Sequence, residues 1–134
     1  MPTLLEIVSP DRLLLSQPVD MAVIPAAEGE MGVLPGHSPM IVLLQGGTIT
    51  IHEGGRPTSQ LYVSGGFAEV TPERCTVLAD EAIPVSEVSR AQAETRLQAA
   101  QAEVTAAGTN VAAYDLAAAK VQSARAMLAA AGAP

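Results

Sequence analysis

The sequence predicts a β-plus-α chain: an all-β sandwich or barrel over residues 1–84, then an antiparallel α-helical hairpin over residues 85–134. Three observations carry this expectation. Nine of the ten prolines fall within the first 84 residues. Short apolar runs recur there at about 8–12-residue spacing, the rhythm of sandwiches and barrels, with glycine pairs between them. From Val85 onward the texture turns alanine-rich, with apolar residues returning every three or four positions.

The strand candidates are 4–9, 12–16, 19–24, 40–44, 48–53, 60–64, 67–71 and 75–79. In Thr48-Ile49-Thr50-Ile51-His52 the alternation is clean, placing Ile49 and Ile51 inward and His52 outward. Gly46-Gly47, Gly54-Gly55 and Gly65-Gly66 fall where tight turns call for positive φ. Leu13-Leu14-Leu15 and Met40-Ile41-Val42-Leu43-Leu44 are apolar on both faces, more than one core needs. Part of the outer surface is therefore expected to meet a partner.

The hairpin follows from capping and spacing. Ser86 is placed to cap a first helix, with Glu87 in its positive first turn. Ala93, Leu97, Ala100 and Val104 form one packing seam. Gly108 stands at a helix end and Asn110 caps the next helix, whose seam is Tyr114, Ala117, Val121, Ala124 and Leu128. So short a turn makes the two helices antiparallel. A fully buried Leu or Val contributes about 1.5–3 kcal/mol and an alanine methyl much less. The alanine seam thus places the docked hairpin only a few kcal/mol below an undocked one, within reach of a partner's differential binding.

Composition narrows the function. The 134 residues carry a net charge of −7, and 49% are hydrophobic, which argues against disorder. Through Pro84, ten acids face three arginines; beyond it four acids balance four cations, so the whole excess lies in the front part. Such a body is unsuited to phosphate backbones, and nucleic acid is not an expected ligand. No apolar stretch approaches the ~20 residues of a membrane span. Met1–Ile7 lacks signal-peptide or transit-peptide character, which gives the expectation of a soluble chain that stays where it is made. Cys75, the single cysteine, alternates with Val77 and Ala79 and reads as a buried core thiol. His37 and His52 have no companions at metal-ligand spacing, so no metal site is expected. Glu28 and Glu30 flank Gly29 without a catalytic partner, and the glycine pairs lack the Lys-Ser/Thr of a phosphate loop. A catalytic centre is not expected, and neither is a cofactor. On composition alone a stand-alone β-sandwich protein-binding module fits equally well.

The loop from Glu28 to Met40 reads Glu-Gly-Glu-Met-Gly-Val-Leu-Pro-Gly-His-Ser-Pro-Met. It resembles the Gly-x-x-Gly-x-Leu-Pro-Gly-His-x-Pro signature of the epsilon subunits of F-type ATP synthases, called delta in mitochondria. Val63-Ser64-Gly65-Gly66-Phe67-Ala68-Glu69-Val70 and Val77-Leu78-Ala79-Asp80-Glu81-Ala82 resemble two further family motifs in the right order. The resemblance spans essentially the whole chain. It implies an N-terminal ten-stranded β-sandwich that binds the gamma subunit and the membrane c-ring, followed by a regulatory C-terminal hairpin. It also implies a non-catalytic central-stalk role, coupling proton-driven rotation to ATP synthesis at the cytoplasmic face of a bacterial plasma membrane.

Residue by residue, Glu30 matches a loop carboxylate near the c-ring, and His37 matches the signature histidine near gamma. Ser9 and Ile41 correspond to positions near rotor neighbours. The family's hairpin can extend toward the alpha/beta catalytic head and restrain hydrolysis, helped by basic residues. Here the second helix carries only Lys120 and Arg125 as cations, so weak inhibition is expected. Some bacterial members bind ATP on the hairpin as a regulatory ligand. Arg90 and Arg125 match part of that pattern, while Glu87 replaces its aspartate and Ala129 stands where a second arginine would be. Loss of that charge-assisted contact makes ATP binding a weak expectation.

Overall fold

The computed structural model describes residues 2–132. The chain runs β1 Thr3–Val8, β2 Leu13–Val19, β3 Met21–Ala26, β4 Gly29–Val33, β5 Met40–Leu44, β6 Gly47–Glu53, β7 Arg56–Val63, β8 Gly66–Val70, β9 Arg74–Ala79 and β10 Ala82–Pro84. A single 3-10 turn, Val85–Glu87, leads to α1 Arg90–Ala107 and α2 Val111–Ala131. The strands form ten-stranded pairing in the order β10-β7-β6-β3-β5-β8-β9-β1-β2, with β4 added to β3. The continuity between halves rests on one residue pair, Ala26 with Leu44, where β3 reaches β5. About that bridge the ladder folds over into two layers, β10-β7-β6-β3-β4 and β5-β8-β9-β1-β2. β1 and β9 run parallel, and the remaining described ladders are antiparallel.

Alternation fills the space between the layers. Leu5 and Ile7 from β1, Ile24 from β3, Ile49 and Ile51 from β6 and Val77 from β9 are fully buried. Cys75 lies among them, and burial pushes its thiol up to about 11. Ile49 and Ile51 point inward as expected, and Cys75 is a core thiol as expected.

Several local expectations are corrected. Residues 19–24 are not one strand: the chain bends at Asp20, whose N–H donates to the His52 carbonyl (3.1 Å) while its carboxylate accepts from Gly54 N–H (2.7 Å). The segment read as a loop from Glu28 contains β4, and Glu30 stands on that strand opposite Pro25. β10 is a tenth strand of three residues, too short to leave a periodic signal. Gly54 and Gly55 do adopt positive φ (63° and 79°) in the two-residue turn joining β6 to β7. Gly46 and Gly47 do not. They are needed for close approach: a Cβ on Gly46 would sit 2.6 Å from Ser123 Cα, and one on Gly47 2.5 Å from Pro25 Cβ.

The first helix starts later than expected. Ser86 and Glu87 lie in the 3-10 turn, Val88 is extended, and Ser89 caps α1 by accepting from Gln92 N–H (3.1 Å). Asn110 caps α2 as expected, accepting from Ala113 N–H (3.1 Å), and Gly108 ends α1 with φ 54°. Ala93, Ala100, Ala117 and Ala124 are buried in the helix pair. Tyr114, expected in the seam, is 48% exposed in the first turn of α2, next to the connection between the helices.

Candidate functional site

Two features of the molecule stand out: an apolar row on one sheet and a docked hairpin on the other. The row arises from register. On the outer face of the second layer, Leu43 of β5 pairs with Phe67 of β8, Phe67 with Leu78 of β9, Leu78 with Val8 of β1, and Val8 with Leu13 of β2. Five apolar side chains thus line up across five strands. At ~4.8 Å per strand the row is about 19 Å long. Leu43 is 69% exposed and Leu13, Phe67 and Leu78 are also exposed. One pleat along, the neighbouring row reads Ile41, Glu69, Thr76, Glu6 and Ser16. No described residue covers this row, and an exposed apolar strip of this extent has the character of surfaces that other proteins cover. The doubly apolar run 40–44 signalled it in the sequence. Phe67, Leu78 and Val8 could not be added without the β1–β9 pairing, which joins residues about 70 positions apart.

Of the residues singled out from the sequence, Ile41 lies on this face and is 73% exposed. Ser9 follows the Val8 end of β1, where its N–H and hydroxyl both reach the Arg12 carbonyl (3.0 and 3.4 Å). Glu30 is exposed on β4. His37 lies beyond the far end of β4, its Nδ1 2.9 Å from the Ser38 carbonyl oxygen. That loop is tied to the β8–β9 turn by the Gly36 N–H, which donates to the Pro72 carbonyl (2.8 Å). Ser9 and Ile41 are thus brought to the row's sheet, whereas Glu30 belongs to the other layer.

The hairpin lies against β6 and β7 of the first layer. The Gln122 amide clamps Gly46: its oxygen accepts from the Gly46 N–H (2.8 Å), and its nitrogen donates to the Gly46 carbonyl (2.6 Å). The Ser123 hydroxyl donates to the Ser64 carbonyl (2.5 Å), and the Tyr62 hydroxyl donates to the Ser123 carbonyl (3.1 Å). Met127 is fully buried in a cluster with Tyr62, Ala93 and Ala130. From α1, Arg96 makes a two-pronged pair with Glu81 (2.5 and 2.9 Å). The hydrogen bond from Arg96 holds the Glu81 carboxyl below the usual carboxylate range, against the opposing effect of desolvation. Burial, reinforced by the Glu81 charge, pushes the Tyr62 phenol up to about 12. Gly46 was read from the sequence as a turn residue and Ala93 as part of the helix seam, whereas Gln122, Ser123, Met127 and Arg96 were not singled out as docking residues. Gln122 and Ser123 look like solvated polar positions on an alanine helix, and their partners are 59–76 residues away.

The three residues expected on the nucleotide pattern lie apart from the clamp. Glu87 is in the 3-10 turn, Arg90 opens α1 and pairs with Glu94 (3.4 Å), and Arg125 is exposed on α2. The groove between hairpin and sandwich is lined instead by Tyr62, Glu81, Arg96, Leu116 and Lys120. Lys120 crosses the hairpin to Glu103 (3.0 Å). No group of three or more metal-ligating side chains occurs among the described residues.

Comparison with known proteins agrees with this architecture. The family model described as ATP synthase, Delta/Epsilon chain, beta-sandwich domain matches residues 3–85. An ATP synthase epsilon chain of Granulibacter bethesdensis is 62% identical over 130 residues, covering 96% of each chain. One of Gluconacetobacter diazotrophicus is 46% identical over 135 residues, covering 100% of this chain and 96% of that one. Among solved structures, a chain of the Euglena gracilis mitochondrial ATP synthase, OSCP/F1/c-ring, aligns with TM-score 0.76 and 27% identity over 96% of this chain and 81% of that chain. A chain from the central stalk/c-ring structure of the Tetrahymena thermophila mitochondrial ATP synthase shares the fold (TM-score 0.69, 13% identity, 98% and 97% covered). With the β-sandwich model spanning most of the chain and an epsilon chain 62% identical along nearly all of it, the chain belongs to the ATP synthase delta/epsilon family.

Proposed function

We propose that the chain is a non-catalytic rotor subunit of the central stalk of a proton-translocating F-type ATP synthase, coupling c-ring rotation through gamma to ATP synthesis. The observation that carries this reading is the row Leu43–Phe67–Leu78–Val8–Leu13, an ordered apolar strip on a stiff sheet with no chemistry of its own. A turning shaft needs a grip of this kind, because a well-packed sheet transmits load without deforming. The gamma subunit occupies the row, with Ser9 and Ile41 at its margins. Glu30 and His37 face the c-ring and gamma from β4 and the loop beyond it. Membrane contact is through the complex, at the cytoplasmic face of the plasma membrane. No helix among the described residues is long and apolar enough to cross a membrane. The hairpin, residues 85–134, is the regulatory part and restrains ATP hydrolysis weakly through transient contact with the alpha/beta head. ATP as a regulatory ligand would engage Glu87, Arg90 and Arg125 and is a minor element of the reading.

The test is recovery of the synthase from native membranes with the chain as bait, comparing the natural protein with Leu43→Asp. Leu43 is already exposed, so the variant keeps its core, but a carboxylate set into a dehydrated interface costs several kcal/mol. Recovery of gamma and c-ring should fall at least about tenfold, and ATP synthesis with it. Undiminished recovery with Leu43→Asp would overturn the assignment of this face.

A further inference from the structure

We infer that the segment seated on the apolar row is an apolar protein segment flanked by lysines or arginines, and that Glu69 is the charge that selects it. This rests on the reading that the row is the rotor grip. Glu69 lies two residues along β8 from Phe67, on the same face and therefore ~7 Å from the row. Its cross-strand neighbours in the second row are Ile41 and Thr76, neither of them charged. The other carboxylate of that row is already answered. Glu6 lies 3.5 Å from the Arg74 Nε and accepts from the Thr76 hydroxyl (3.4 Å). Glu69 is exposed and makes no ion pair or side-chain hydrogen bond among the described residues. When the row is covered, Glu69 falls under the margin of whatever covers it. A carboxylate that loses its water there needs a cation in exchange.

Charge decides among occupants. A second copy of this chain, meeting face to face about a two-fold axis, would bring together two bodies of net charge −7 and offer no excess of cations to Glu69. An anionic lipid surface would meet the same repulsion. A protein segment with an apolar stripe and lysines or arginines along one flank satisfies both rows. The acidic excess of residues 1–84 then steers that segment toward the sandwich before contact.

The experiment measures binding of the full chain to the purified gamma subunit of the same synthase, at low and at moderate salt. Four variants are compared: Glu69→Gln, Glu69→Lys, Glu6→Gln and Leu43→Asp. Glu69→Gln should weaken binding about 3- to 10-fold at low salt and flatten the salt dependence, Glu69→Lys should weaken it further, and Glu6→Gln should change it least. Natural affinity and salt slope in both Glu69 variants, alongside lost binding in Leu43→Asp, would overturn the charge selection and leave the grip standing. Natural binding by Leu43→Asp would overturn both. Thermal melts show whether each variant is folded, and the near-isosteric Glu69→Gln decides if Glu69→Lys is not.

Discussion

Gly46→Ala isolates the hairpin's docking from the stability of the sandwich. The added Cβ would lie 2.6 Å from Ser123 Cα, a backbone atom that cannot swing aside, so α2 itself must retreat. Gly46 is not among the residues with positive φ, so alanine introduces no strain into the turn it occupies. Retreat of α2 by about an ångström stretches both Gln122 bonds to Gly46 beyond hydrogen-bonding range, along with those linking Ser123 to Ser64 and to Tyr62. With a net worth of about 0.5–1.5 kcal/mol per bond and partial recovery by water, the docked state loses roughly 2–4 kcal/mol. Amide hydrogen exchange across α2 should then accelerate about 30- to 1,000-fold, while Ile49 and Val63 in the strands keep their protection. Unchanged exchange in α2 would refute the claim that this contact holds the hairpin down. Equal acceleration in the strands would refute the separation of hairpin from core.

Two further outcomes follow from the ionisable groups under the hairpin. Because Arg96 lowers the Glu81 pKa, their pair stabilises docking above the ordinary carboxyl value of 4.5 and loses that contribution as pH falls through the lowered value. Arg96→Met should therefore weaken α1 and α2 protection at neutral pH and differ little from the natural chain in acid; a gap that stays constant with pH would count against the pair. In a Tyr114→Phe background, ultraviolet titration should show Tyr62 keeping its proton until about pH 12. Ionisation near 10 would mean that α2 does not cover the phenol.

The sequence made the strands with strict alternation readable, because 48–52 and 75–79 each bury every second residue. β4 was unreadable for a physical reason: Gly-Glu-Met-Gly-Val buries only Val33, so no period exists to detect. The start of α1 was placed three residues early, at Ser86, because a serine there is a competent cap; the extended backbone at Val88 moves the cap to Ser89. The alanine seam showed that two helices pair but not where the pair lies. Its location depends on Tyr62, Gln122, Ser123 and Met127, whose partners are remote in sequence and carry no shared pattern. The surplus of apolar residues at 40–44 did signal exposed apolar side chains, Met40, Ile41 and Leu43, and register alone turned that surplus into a row.

Row and hairpin lie on different layers, yet they meet. A groove at the β5–β6 and β8 ends is lined by Leu43 and Phe67 on one side and by Ala119, Gln122 and Ser123 on the other. Leu43 and Phe67 are the row's terminal pair, and Gln122 and Ser123 are the clamp. A segment lying along the row and reaching past Leu43 would therefore meet Ala119, Gln122 and Ser123 of the docked α2. With the hairpin released, the same groove loses one wall and the row loses its stop. An occupant that touched both walls would bind the two hairpin positions with different affinity, and that difference would measure how far the row's occupancy and the hairpin's position bias one another. Such a coupling would need no wire through the core, because Gly46 of the clamp and Leu43 and Phe67 of the row line the same groove.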